Sequence, residues 1–212
     1  MEDPVIIFGA NNLGKAAKEI FESHGIVIYG FLDDNEKLHG QEIDEAAVLG
    51  STTDDGYLKF IGKKCQAFVA EDNNKARKAM VAMLKDRRKV MPMNAIHDKA
   101  YIATSAHIGH GNLVNIGATI GANAKISNHC IIHSGATIDQ EAELSDMVQI
   151  GAGSVINSGV KLEEEVFVGS GATIVSGVKI GKGARIGAGS VVIADVRAGE
   201  TMFGNPAQPV KS

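Results

Sequence analysis

Five of the seven histidines, His97, His107, His110, His129 and His133, fall between residues 97 and 133, a stretch where imidazoles are dense enough to take protons or gather round a metal. Spacing argues against a metal within one chain. If the backbone returns every eighteen residues, as argued below, His97 and His133 share a face but stand two returns apart, about 10 Å on the spacing of paired strands. Zinc takes its nitrogens at about 2.0–2.1 Å and needs three or four converging ligands, and no matching third histidine falls in step. No metal is therefore expected. The cysteines, Cys65 and Cys130, lack CxxC spacing and read as reduced. Cys130 occupies a position otherwise held by small apolar residues, which makes it a buried hydrophobe rather than a nucleophile.

A second group of polar residues opens the chain. Residues 4–8 read as a buried strand, followed by Gly9-Ala10-Asn11-Asn12-Leu13-Gly14 and a helix running to His24. Asn11 stands where a GxGxxG turn needs glycine for close approach to a pyrophosphate, so NAD is not expected. A helix N-terminus beside Gly14 can still hold one phosphate group. Asp33 or Asp34, following a second strand over 26–31, is placed to hydrogen-bond a ribose or sugar hydroxyl. A third strand over 65–70 runs into Glu71-Asp72-Asn73-Asn74, and residues 75–86 read as a helix with Arg77 in its first turn. This alternation predicts a small parallel sheet, Rossmann-like in kind, with ligands at the carboxyl ends of its strands. The bland alternative is a plain strand–turn–helix with acidic loops.

What positions the later residues is a repeat. Stepping by six from Ile96 to Val192 meets an aliphatic residue at all seventeen positions. Two residues before each next aliphatic stands a small or short apolar residue in sixteen cases of seventeen, Asn112 being the exception. The fourth residue of the hexad is Gly nine times and Asn123 once, which suits corners with φ > 0. A helix is excluded, because a step of six places successive aliphatics about 240° round a 3.6-residue screw. The pattern predicts a three-faced parallel β-helix of about six rungs, stacked to about 27 Å. The domains are then 1–92, the α/β unit; 93–198, the β-helix; and 199–212, a tail carrying Gly204-Asn205-Pro206-Ala207.

Charge narrows the partners. Residues 1–95 carry 13 basic and 15 acidic side chains and residues 96–212 carry 8 and 10, so each part nets −2 and neither offers a basic face to nucleic acid or an anionic membrane. The opening MEDPVIIFGA fits neither a signal nor a transit peptide, and no apolar run is long enough to span a bilayer. Cytoplasmic localisation without membrane insertion is expected. Glu163-Glu164-Glu165 reads as a solvated face.

The GAxxxG opening, the Leu-Asp-Asp after the second strand, the Asn-Asn before an Arg-bearing helix, the uninterrupted hexads and the closing Gly-Asn-Pro-Ala together resemble one family. It is the sialic-acid O-acetyltransferase and bacterial UDP-amino-sugar N-acetyltransferase family, and the likeness runs from about Val5 to Ala207. The resemblance implies a left-handed β-helix, a homotrimer, and acetyl-CoA lying in the groove between adjacent prisms. It also implies that the front domain of a neighbouring unit holds a UDP-amino-sugar or similar acceptor, with Gly9, Ala10, Asn11, Gly14, Asp33, Asp34, Asn73 and Asn74 as the binding set. Coenzyme A contacts in such grooves are mostly main-chain, which implicates Ser158, Gly159, Ser170, Gly171 and Ala188; the same residues also read as plain corner geometry.

In that family a histidine followed by an acidic residue deprotonates the acceptor, and a second histidine nine residues later lies near the thioester. Aligning the hexads places Gln140 and Gln149 at those positions, with Glu141 keeping the acidic partner. An amide cannot accept a proton near neutral pH. Glu141, with an ordinary pKa of about 4.3, is a poor match for a proton lost near pH 7, whereas a histidine at about 6.5 is well matched. His133, in the hexad before Gln140, fills a position where the resemblance places an Asn near the active site and is the preferred surrogate base, against the alternative of a solvated or merely hydrogen-bonding imidazole. Gln149 can orient a thioester carbonyl by donating a hydrogen bond. The expected function is acetyl transfer from acetyl-CoA to an amine or hydroxyl of a sugar, most simply nucleotide-linked, in surface-glycan synthesis. The alternative is a trimeric sugar-nucleotide or acyl-CoA binding protein with an impaired active site. A third reading, an interfacial metal enzyme drawing on His129 or His110, lacks a converging ligand set.

Overall fold

The computed structural model describes residues 3–210. The chain divides into two compact units, residues 1–98 and 99–212.

The first unit is a five-stranded sheet with helices between its strands. Val5–Phe8 (β1), Ile28–Leu32 (β2), Glu42–Ile43 (β3), Ala46–Gly50 (β4) and Gln66–Val69 (β5) lie in the order β3-β4-β2-β1-β5. All neighbours are parallel except β3 and β4, a hairpin whose turn residues Asp44 and Glu45 both have positive φ. β1 is buried at every position, as its unbroken apolar run requires of a central parallel strand. Helix α1 spans Asn12–Ser23, a short α2 spans Asp55–Leu58, and α3 spans Asn74–Arg88. One core gathers Ile6, Phe8, Leu32, Leu58, Ile61 and Leu84. The sequence pattern missed β3, β4 and α2, so the strand expected third is the fifth.

The second unit is a parallel β-helix. Its strands are two residues long and recur every six residues from Tyr101–Ile102 to Val191–Val192. Each strand up to Thr173–Ile174 pairs in parallel with the strand eighteen residues on, Thr119↔Thr137 and Ile120↔Ile138 for example. Three columns result. One carries Thr119, Thr137, Val155, Thr173 and Val191 outward, a second Lys125, Glu143, Lys161 and Lys179, and a third Leu113, Ile131, Gln149, Phe167 and Arg185. The second residue of each strand points inward, and from Val114 to Val192 these aliphatics are buried. Small inward residues such as Ala118, Ala136 and Ala184 make room for them, which is how this core closes without aromatics.

Corners explain the glycines. All nine hexad glycines have positive φ, Gly153 at 65° for instance, and so do Asn123, His129, Glu141, Met147 and Glu165. Asn112, the exception among the small inward residues, is fully buried; its Nδ2 donates to Ser127 O at 2.9 Å and its Oδ1 accepts from Cys130 N at 2.7 Å. Its amide thus bridges a turn one rung away. Thr201–Gly204 pairs with Arg185–Ile186, then turns through Asn205 and Pro206 to pair antiparallel with Ala207–Pro209.

Candidate active site

In the first unit the chain leaves β1 to pair on one side with β2 and later returns on the other side as β5, which makes the β1–β5 boundary the switch point where open α/β sheets hold ligands. The loops there are tied to one another. Gly9 has φ +108°, and a Cβ on it would lie 2.4 Å from Ala70 O, so only glycine fits. A Cβ on Gly14 would lie 2.0 Å from Gly9 O, which makes Gly14 the close-packing glycine between turn and helix. Asn11 caps α1: its Oδ1 accepts from Leu13 N at 2.9 Å and Gly14 N at 3.0 Å, while its Nδ2 donates to Ala70 O at 2.8 Å. At the helix N-terminus expected to hold a phosphate, the Leu13 and Gly14 amides are therefore already taken by the cap.

Asp33 Oδ2 accepts from Ala10 N at 2.8 Å and Oδ1 from Asn35 N at 2.8 Å. Asp34 is gripped by Thr52, whose N–H donates to Oδ1 at 2.8 Å and whose hydroxyl lies 2.9 and 3.0 Å from the two oxygens. Asn73 caps α3 through Lys75 N and Ala76 N. Asn74 Oδ1 accepts from buried Arg77. The eight front residues of the expected binding set thus lie on interlinked loops and helix starts at the carboxyl ends of β1, β2 and β5. Sequence reasoning missed Thr52, because β4, which leads into it, was not recognised.

On the β-helix the expected residues fall into separate columns. Gln140 and Glu141 form the corner between Thr137–Ile138 and Glu143–Leu144, with Ser158 and Gly159 stacked on it one rung later. His133 lies on the preceding corner, after Ile131–Ile132, in the column that also holds Ser170, Gly171 and Ala188. Gln149 is the outward residue of Gln149–Ile150 and only 9% exposed. His133 and Gln140 thus occupy successive corners with a strand between them, and one chain does not stack them in one column.

The Gln140 corner has fixed backbone and free side chains. Gln140 N donates to Asp139 Oδ1 at 2.8 Å, and Gly159 N donates to Gln140 O at 3.1 Å. Glu141 is exposed and left-handed at φ +59°, where the next corner has Gly159. A cleft of about 330 Å³ beside it is lined by Asn123, Lys125, Glu141, Glu143, Gly159 and Lys161. Lys125 and Lys161 reach Glu143 at 2.9 and 3.3 Å, and their hydrogen bonds hold its carboxyl below the usual range. Glu163 and Glu164, in the acidic run, pair with Lys179 at 2.8 Å and Lys182 at 2.6 Å. Cys130 is buried with its thiol 3.2 Å from Ser145 O. Among the described residues no three His, Cys, Asp or Glu side chains gather as a metal site.

These two modules are recognisable in other proteins. The PglD N-terminal domain family matches residues 4–84, and the bacterial transferase hexapeptide family, as six repeats, matches residues 159–194. No curated protein matches the chain. Among solved structures, PerB from Caulobacter crescentus, in complex with CoA and GDP-perosamine, is 27% identical, covers 100% of this chain and 99% of its own, and superposes with a TM-score of 0.90. The acetyltransferase domain of PglB from Neisseria gonorrhoeae, in complex with acetyl coenzyme A, is 26% identical over 99% of this chain and 100% of its own, with a TM-score of 0.89. WeeI from Acinetobacter baumannii is 25% identical over 98% and 99%, with a TM-score of 0.85. The fold is accordingly a Rossmann-like unit followed by a left-handed parallel β-helix. Both modules, and the end-to-end likeness to these structures, match the family that the motifs resemble, hexapeptide-repeat acyltransferases with a PglD-type N-terminal domain.

Proposed function

We propose that this protein is an acetyl-CoA-dependent N-acetyltransferase that acts on the amino group of a nucleotide-linked sugar in surface-glycan synthesis, as a cytoplasmic homotrimer. The observation that carries this reading is the end-to-end likeness to PerB, solved with CoA and GDP-perosamine, across both units. Among the described residues no helix is long and apolar enough to cross a membrane. The front loops around Gly9, Asn11, Asp33, Asp34, Asn73 and Asn74 hold the nucleotide-linked acceptor. Ser158, Gly159, Ser170, Gly171 and Ala188 line the pantetheine path.

Where the residues stand supports the trimer. Gln140, Glu141, Ser158 and Gly159 lie on one corner column, and His133, Ser170, Gly171 and Ala188 on another. A neighbouring copy that presents its second column to the first completes a site that one chain leaves divided.

In the reaction the acceptor nitrogen attacks the thioester carbonyl carbon, the C–N bond forms, the C–S bond breaks, and coenzyme A leaves as a thiolate that takes up a proton. The proton lost by the amine goes to His133, the surrogate base, while Gln149 donates a hydrogen bond to the thioester oxygen. An amine suits a site with Gln140 and Gln149 better than a hydroxyl does, because a neutral amine is already nucleophilic. The test mixes the protein with acetyl-CoA and a panel of UDP-, GDP- and dTDP-linked amino sugars and titrates released thiol. Acceptor-dependent release is the expected result. Binding of both ligands with no release from any acceptor would favour the second reading that Gln140 and Gln149 motivate, a binding protein without turnover.

A further inference from the structure

The loop that follows β5 is built around a charge held inside the protein. Arg77, on α3, is 1% exposed and among the largest fully buried side chains. Its Nη1 donates to Glu71 O at 2.6 Å and its Nη2 to Asn74 Oδ1. Both acceptors belong to the segment that leaves the carboxyl end of β5.

Stability alone is a weak reason to keep such a group. Desolvating a guanidinium is expensive, and well-packed apolar residues of similar volume often match or exceed buried charges in stability. Geometry is the better reason, since a planar fork with fixed donor directions holds two acceptors at a set separation, which a lysine ammonium cannot do. The same segment is tied at its surface too. Glu71 Oε1 accepts from Asn73 N at 2.8 Å, and Asn11 Nδ2 holds Ala70 O at 2.8 Å from the β1 side. The fork fixes the β5 loop from within, while Asn11 fixes it to the β1 loop across the switch point.

We propose that Arg77 is the positioning residue of the acceptor site: its buried guanidinium sets the Glu71–Asn74 loop on which Asn73 and Asn74 meet the nucleotide. This rests on the reading of the front unit as the acceptor site. Arg77 touches no substrate itself and acts through the loop.

The test compares the intact wild-type protein with Arg77→Lys and Arg77→Met by calorimetric titration with UDP, GDP and acetyl-CoA. Melting temperature and amide exchange over residues 70–76 are measured on the same samples. Loss of hydrogen bonds from a charged donor predicts nucleotide binding weaker by about tenfold or more in Arg77→Lys. Exchange in the loop should be faster, and acetyl-CoA affinity should stay within about twofold of wild type. A lower melting temperature with unchanged nucleotide affinity in the folded protein would mean a merely structural arginine and overturn the proposal. If Arg77→Met fails to fold, Arg77→Lys alone decides. Wild-type protein that binds acetyl-CoA but neither nucleotide would overturn the acceptor-site reading and the proposal with it, and the failure of the wild type itself tells this result apart.

Discussion

Replacing Gln140 by histidine is the most informative single change. The backbone at this corner is held on both sides, by Asp139 Oδ1 on the Gln140 N–H and by Gly159 N–H on its carbonyl, at 2.8 and 3.1 Å. The side chain is exposed within one chain, so an imidazole enters without displacing a packed neighbour of its own prism. The substitution therefore changes the chemistry of the corner and leaves its shape alone. A positioned general base contributes about 10²–10⁴-fold, or roughly 3–5 kcal/mol of barrier. With His133 on another column as the proposed base, we expect the lower end, a rise in kcat of about 10²-fold.

The pH profile supplies the sign. The new imidazole stands between Asp139 and Glu141, whose carboxylates favour the imidazolium form and raise its pKa above the ordinary histidine value. A base works when neutral, so Gln140→His should lose rate as pH falls through that raised pKa and reach a plateau above it. The wild type has no such limb from this position. Thiol release is a clean assay, because Cys65 and Cys130 are both buried and burial pushes the Cys65 thiol pKa up. His133→Ala should slow the wild type strongly and the Gln140→His variant much less. If Gln140→His stays within about threefold of wild-type kcat at every pH from about 6 to about 9, the assignment of this corner to proton transfer is wrong.

Glu141→Gly should stabilise the protein by about 1 kcal/mol, since φ +59° penalises any residue with a Cβ, while acetyl transfer falls; chemical denaturation measures the first and thiol release the second. Asn112→Ala should cost about 1–3 kcal/mol, because Ser127 O and Cys130 N lose the amide that bridges them, and a loss below about 0.5 kcal/mol would show that the turn closes its own bond instead. Glu143, whose folded-state pKa is depressed, contributes stability above its unfolded pKa that is lost as pH falls through the folded value. Lys125→Ala or Lys161→Ala should move its titration, followed by carboxyl NMR, up toward the ordinary range, and salt of about 1 M should mimic the change because the pairs are exposed.

The β-helix was legible because its rule is local and repeated. An aliphatic every six residues has one geometric solution, and a mistake at Asn112 is outvoted by its neighbours. Even the exception has a physical account, since an asparagine can enter that interior only where a carbonyl and an amide one rung on receive it. The front unit has no such redundancy. β3 and β4 are a short hairpin whose turn, Asp44-Glu45, lacks the glycine that announces most tight turns, and missing it hid Thr52 and with it the anchor of Asp34. Arg77 was legible as a first-turn residue of its helix but not as a buried one, since nothing in its spacing tells a buried fork from a solvated one.

The separation of His133 from Gln140 follows from counting alone. Sequence distance within a β-helix gives the corner as well as the rung, and Gln140 lies seven residues after His133, one hexad and one residue on. One hexad moves a residue to the next corner, whereas three return it to the same one. Two residues close in sequence are thereby kept apart in one prism, while Gln140 and Ser158, eighteen residues apart, are stacked neighbours. In the proposed trimer, chemistry that joins His133 to Gln140 crosses from one copy to another. A mixture of His133→Ala and Glu141→Gln chains should then recover activity that neither variant has alone, since mixed trimers contain some interfaces with both residues intact. Failure to recover any activity after the subunits exchange would place both residues on the same side of the interface.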